Sequence, residues 1–230
     1  MGVIYLVRHA QASFGTDDYD RLTPIGFTQA RLLGEYFARR RIRFDAVYSG
    51  TLRRHAETTQ AIAAGEPDRS APAAQCFPGL NEYKPEALLM AFTGVLPEPG
   101  AAAVRRDASV VREHFRLLRD ALMAWALDRI QPAGMPAWQA FQDGAVAALI
   151  EARRQSADGN VLVVSSGGPI AAIVAAALKA PPESAVELNL RIRNSSVTEF
   201  AMSARRHQLV SFNALPHLDA QSDPDLTTYA

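Results

Sequence analysis

Val161-Leu162-Val163-Val164-Ser165-Ser166-Gly167-Gly168-Pro169 is the stretch on which the fold turns. A continuous apolar, largely β-branched run that stops at small polar residues reads as a strand buried on both faces. The apolar stretch Ile170 to Leu178 comes at once after it and predicts a helix, with Gly168 as its N-cap and Pro169 at its first position. The same order recurs upstream. Val3 to Val7 is a second such run and stops at Arg8-His9, and Asp45 to Ser49 leads into a helix expected over Thr51 to Ala64. Between them Gln11 to Leu22 is polar and reads as a loop. Thr23-Pro24 then offers an N-cap and a proline, and Phe27, Ala30, Leu33 and Phe37 come next at helical spacing. Arg39-Arg40-Arg41 near the end of that helix suits its dipole and reads as a solvated face. Downstream, Ser196 to Ala201 predicts another strand, with a further one around Val186 to Leu190. Strands alternating with helices need crossover connections. The expected fold is therefore α/β: a three-layer sandwich with a mainly parallel central sheet and helices on both faces.

The segment from about Phe77 to Trp138 breaks this rhythm. It holds two loop signals, around Pro97-Glu98-Pro99-Gly100 and Gln131-Pro132-Ala133-Gly134, with a helical stretch from Val110 to Arg129 between them. It reads as a helical cap inserted over the sheet's functional edge, within a single domain spanning residues 1–215. Residues 216–230 are polar with few anchors and are expected to form a tail that is at best loosely docked. With 48% apolar and 21% charged residues the composition is that of a globular protein, and 230 residues can bury a large core without metal or disulfide staples. Lys and Arg together equal Asp and Glu at 24 each, which argues against a generic nucleic-acid or membrane-surface binder. The lone Cys76 excludes an intramolecular disulfide and Cys-rich zinc chemistry. The N-terminus meets charge at Arg8 too soon for a secretory signal, and no apolar run nears the roughly 20 residues of a membrane span. A soluble, cytoplasmic protein is expected.

In open parallel sheets ligands bind beyond the carboxyl ends of the strands. That singles out Arg8-His9, Ser49 with the helix after it, and Ser165-Ser166-Gly167-Gly168. The pair Arg-His recurs at Arg54-His55 and Arg206-His207, but only Arg8-His9 ends an apolar strand.

The motifs at these strand ends come in a recognisable order along the chain. Leu6-Val7-Arg8-His9-Ala10-Gln11, then Leu22-Thr23-Pro24-Ile25-Gly26, then Val47-Tyr48-Ser49-Gly50-Thr51-Leu52-Arg53-Arg54 resemble the histidine phosphatase superfamily, which also holds the cofactor-dependent phosphoglycerate mutases. Leu80-Asn81-Glu82 resembles its general-acid segment, Val161 to Pro169 its last active-site turn, and Arg193 to Thr198 the start of its last strand. The resemblance implies a phosphomonoester hydrolase working on a small phosphorylated metabolite through a phosphohistidine on His9. Arg8 and Arg54 would clamp the phosphoryl oxygens, because transferred phosphoryl groups spread charge over oxygens that guanidinium forks fit. Glu82 would protonate the leaving oxygen, and Gln11, Ser166 and Gly167 would add donors to phosphate. Arg53 and His55 lie about 100° round the helix from Arg54 and are expected either to flank the site or to support it from behind. No metal or cofactor is required by this chemistry.

The sequence departs from the family at three places. The second active-site histidine should precede Gly167-Gly168, where this chain has Ser166; Ala10 stands for a glycine and Gly15 for an asparagine. A serine cannot present an imidazolium, and losing one preorganised donor typically costs about 10²–10³ in rate. Three readings are open: a working phosphatase, a weak or inactive relative that binds a phosphorylated ligand or a protein, and a phosphoglycerate mutase. The retained nucleophile, arginines and acid favour the first. His114, His207 and His217 are the candidates to stand in for the missing ring.

Overall fold

The first apolar run forms β1 (Gly2–Arg8), and its two-residue alternation sets what lies on each side of the sheet. Ile4 and Leu6 enter one core, Tyr5 and Val7 the other. The computed structural model of the chain describes residues 2–13, 20–66, 72–95, 108–156, 159–203, 206–219, 221 and 223–229. Within these, β1 belongs to a six-stranded sheet with β2 (Ala46–Ser49), β3 (Gln75–Cys76), β4 (Asn160–Ser165), β5 (Val197–Met202) and β6 (His207–Ala214), in the order β3-β2-β4-β1-β5-β6. The first four in that order are mutually parallel. β5 runs antiparallel to both β1 and β6.

Both faces of the sheet are covered. α1 (Pro24–Arg39) and α2 (Arg53–Ala64) bring Ala30, Leu33, Phe37 and Ile62 onto Tyr5, Val7, Leu162 and Val164. Thr23 caps α1 by accepting from Gly26 N at 3.0 Å, with Pro24 at the first helical position, as the sequence predicts. On the other face α5 (Trp138–Gln155) and α6 (Gly167–Leu178) pack Leu149, Ile170 and Ile173 onto Ile4, Leu6, Val161 and Val163. A third cluster joins α3 (Pro85–Thr93), α4 (Ala108–Ala126) and α7 (Pro182–Asn189) around Trp125, Trp138, Leu88 and Leu122. No helix among the described residues is long and apolar enough to cross a membrane.

The structure differs from the sequence expectations in three places. The stretch around Val186 is not a strand but α7: Pro182 occupies its first turn, Glu183 complements its positive end, and Ala185 and Val186 pack into the third cluster. The N-cap of α6 is Ser166 rather than Gly168, so the helix begins directly at the strand's end. The C-terminal tail is docked, not loose. Leu226 is buried with Leu32, Leu215 and Leu218, Gln29 Nε2 donates to Leu226 O at 2.8 Å and to Thr228 Oγ1 at 2.9 Å, and Asn194 N donates to Thr228 O at 2.9 Å. The tail's anchors are a few scattered side chains, Leu218, Leu226 and Thr228 among them, and main-chain carbonyls, which composition does not reveal.

Candidate active site

Parallel strands end on one edge, so the loops after β1, β2, β3 and β4 converge there. Main-chain bonds continue the ladder past the strands and lock those loops together: His9 N to Ser165 O at 2.8 Å, Gly50 N to Val164 O at 3.1 Å, and Phe77 N to Ser49 O at 2.8 Å. Ser165 Oγ donates to Leu80 O at 2.8 Å, and Asn81 exchanges two bonds with Thr51, each 2.7 Å. These tie the Leu80-Asn81-Glu82 segment to the ends of β4 and β2.

His9 is buried at 2% exposure. Its Nδ1 lies 2.8 Å from Ala10 O. A carbonyl only accepts, so Nδ1 carries the hydrogen and Nε2 keeps its lone pair. Burial holds the imidazole well below its ordinary pKa, and the positive charges of Arg54 and Arg8 push it the same way. His9 is therefore neutral at pH 7.

The two arginines are buried and individually positioned. Arg8 donates through Nη1 to the carbonyls of Ile192 and Tyr229, so the docked tail holds its guanidinium. Arg54 donates through Nη1 to Asp20 Oδ1 at 2.8 Å. Asp20 also accepts from Arg53 N at 2.8 Å, complementing the positive N-terminus of α2. Thr58 Oγ1 donates to Arg54 O at 2.7 Å and accepts from Ala10 N at 3.1 Å, joining α2 to the residue after His9. Gln11 lies two residues past His9. Its Oε1 accepts from Thr23 Oγ1 at 2.7 Å, so its NH₂ end is the donor it can offer.

Glu82 is half-buried, and Oε1 accepts from Gly168 N at 3.0 Å and Tyr83 N at 3.3 Å. Its carboxyl pKa is raised by burial, against the lowering pull of Arg54, Arg8 and those two N–H groups. The same two arginines bear on both groups, lowering the pKa of His9 and opposing the rise at Glu82. Gly167 is buried at the start of α6, directly after Ser166.

His9, Arg8, Arg54, Glu82, Gln11, Ser166 and Gly167 all belong to this edge or to the turns adjoining it; Gly15 lies outside the described residues. Of the three histidines considered as stand-ins, His217 pairs with Ser195 at 2.9 Å, His207 packs on Phe200 and His114 on Phe115. His55, expected to flank the site or support it from behind, stands beside it. It is completely buried, its Nε2 is 2.7 Å from Ser166 Oγ, and its ring centroid is 5.7 Å from that of His9. Sequence reasoning also passed over Asp20 and Thr58. His55 could have been suspected from its place in the first turn of a helix that starts at a strand's carboxyl end. Arg53, by contrast, turns outward to Glu57 at 2.7 Å, as expected.

A family model described as "Histidine phosphatase superfamily (branch 1)" matches residues 4–86 and 105–215. The chain is 27% identical over 224 residues to a Hydrogenobacter thermophilus protein named "Putative phosphoserine phosphatase 2", covering 93% of this chain and 96% of that one. Among solved structures it resembles a phosphoserine phosphatase from Entamoeba histolytica in complex with phosphoserine, with TM-score 0.63 and 21% identity over 95% of this chain and 100% of that one. It also resembles the alpha-ribazole phosphatase from Shigella flexneri, with TM-score 0.61 and 21% identity over 93% and 96%. At such identities the structural likenesses speak for the fold.

Proposed function

The chain belongs to the histidine phosphatase superfamily, branch 1, and from that premise we propose that it hydrolyses phosphomonoesters of small metabolites through a phosphohistidine on His9. The observation that carries this reading is the arrangement at the strand ends: a buried His9 whose Nδ1 faces Ala10 O and leaves Nε2 its lone pair, the buried Arg8 and Arg54, and Glu82 held on Gly168 N, with burial lowering the pKa of His9 and raising that of Glu82. His9 Nε2 attacks phosphorus in line with the leaving oxygen. The N–P bond forms as the P–O bond breaks, and neutral Glu82 passes its proton to the departing alkoxide. Arg8 and Arg54 hold the equatorial oxygens, where charge accumulates. In the second half Glu82, now a carboxylate, takes a proton from water, hydroxide joins phosphorus, and the N–P bond breaks to free phosphate and restore His9.

Gln11, Gly167 and Ser166 complete the phosphate cradle. Ser166 stands where the family's second histidine is expected, and the start of α6 adds the Gly167 N–H and the positive end of a helix beside it. No step calls for a metal. Hydrolysis of p-nitrophenyl phosphate in EDTA, measured across about pH 4–8, tests the reading. Turnover is expected in the wild type, and His9→Ala should abolish it. Turnover that survives His9→Ala, or inertness of the wild type toward both this ester and a panel including phosphoserine, would overturn it.

A further inference from the structure

We infer that His55 is a positioning residue for phosphoryl transfer: from the first turn of α2 it donates Nε2–H to Ser166 Oγ and thereby directs the Ser166 hydroxyl hydrogen at the phosphoryl group bound beside His9. The inference rests on the hydrolase reading above and assigns a part in it to a histidine from an element other than the α6 turn.

Both side chains are fully buried, and the 2.7 Å bond between them joins residues far apart in sequence. The direction of that bond is set by the other ring nitrogen. His55 Nδ1 is buried without a hydrogen-bond partner among the described residues. An orphaned buried N–H is rarer than an orphaned acceptor, so the hydrogen sits on Nε2 and Ser166 Oγ accepts it. A hydroxyl has one hydrogen and two lone pairs. With a lone pair engaged by His55, the Ser166 hydrogen remains to be donated.

Ser166 does not use its oxygen as an N-cap serine usually does. It occupies the N-cap of α6, yet its side chain accepts no bond from the helix's first N–H groups. One of those groups, Gly168 N, goes instead to Glu82. His55 thus holds Ser166 away from self-capping. The His55 ring is itself uncharged, since burial and the neighbouring Arg54 pull its pKa down to about 3. It works as an oriented dipole rather than as a second cation.

The pocket for this ring is built. A Cβ on Gly50 would fall 2.2 Å from His55 Nδ1 and 2.7 Å from its Cε1, so glycine at the β2–α2 turn leaves the imidazole its space. Asn81 Oδ1 closes the same corner, 2.6 Å from that point. The ring stands beside His9 and meets the site through its bond to Ser166.

A double-mutant cycle on the full chain tests this, read by p-nitrophenyl phosphate turnover and by orthovanadate binding in calorimetry, with melting temperatures for every variant. Ser166→Ala should lower kcat/KM by about 10²–10³-fold, as removal of an oxyanion donor does. His55→Ala should lower it by about 10–100-fold, the usual cost of losing an orienting partner. The double variant should be no worse than Ser166→Ala alone, and His55→Gln, whose amide can still donate, should recover most of the loss. Long-range ¹H–¹⁵N spectra should show His55 protonated on Nε2. Losses that multiply, an unaffected His55→Ala, or an Nδ1–H tautomer would each overturn the inference. Failure of the hydrolase reading looks different: vanadate binds with the predicted coupling but wild type and His9→Ala are equally inert. If the wild type binds no vanadate, both readings fall.

Discussion

Gly168→Ala isolates the acid from the rest of the site. An ideal Cβ at this position lies 2.3 Å from Glu82 Oε1 and 2.8 Å from the Tyr83 ring, too close for either to stay. Gly168 is in the first turn of α6 and is not among the positive-φ glycines, so the backbone accepts alanine. In helical propensity alone the exchange is favourable by about 1 kcal/mol. What must yield is the carboxylate together with the Tyr83 ring, and the carboxylate also loses its 3.0 Å bond from Gly168 N. Relief requires a shift of roughly 1 Å, a displacement that costs about 10²-fold when it misplaces a reacting group. The loss should fall on substrates that need the proton. Steady-state kcat/KM for an alkyl ester such as phosphoserine should therefore drop by about 10²-fold, in line with the value of general acid catalysis. The same ratio for p-nitrophenyl phosphate, whose leaving group departs without protonation, should change far less, because kcat/KM ends at phosphoenzyme formation and excludes the water step that Glu82 also serves. Equal losses on both esters, or unchanged phosphoserine hydrolysis in a variant that melts like the wild type, would refute the assignment of Glu82 as acid.

Buried groups elsewhere give two further outcomes. His55 and His217 are each pulled to a pKa of about 3 by burial first and a nearby arginine second. The unfolded chain binds protons there from about pH 6.5 downward while the folded chain does not, so stability is lost as pH falls through that window, at about 1 kcal/mol per histidine per pH unit. Urea midpoints between about pH 7 and pH 4 should record this, and a flat profile would contradict the buried neutral rings. Removing residues 224–230 takes away the Leu226 contact and the carbonyl that Arg8 engages. We expect a loss of roughly 2–3 kcal/mol of stability, the scale of one buried leucine, together with weaker phosphate binding; a truncated chain with unchanged melting temperature and KM would show the tail to be dispensable.

The strands that set the topology were legible because each is a short apolar run ending at polar residues: Val3 to Val7, Asp45 to Ser49, Val161 to Val164. Local chemistry also revealed the Thr23-Pro24 helix start. Where a residue's environment comes from another element, the sequence was silent or misleading. Val186 reads as β-branched strand until Pro182 and the third cluster make it helical. β6 was not expected because it is only partly buried along its length, whereas α5 went unnamed although Trp138, Ala145, Leu149 and Ala152 lie at helical spacing.

The site divides along the same line. His9, Arg8, Arg54 and Glu82 were named from the resemblance of their motifs to the superfamily, and a motif is local order along the chain, legible without the fold. That Asp20 holds Arg54, that the tail's carbonyl holds Arg8, and that His55 meets Ser166 were decided by tertiary structure alone. Hydrogen bonds and burial act over a few ångströms of space, whatever the distance along the chain, so two residues as remote as His55 and Ser166 acquire a joint role only when parallel strands bring their loops to one edge.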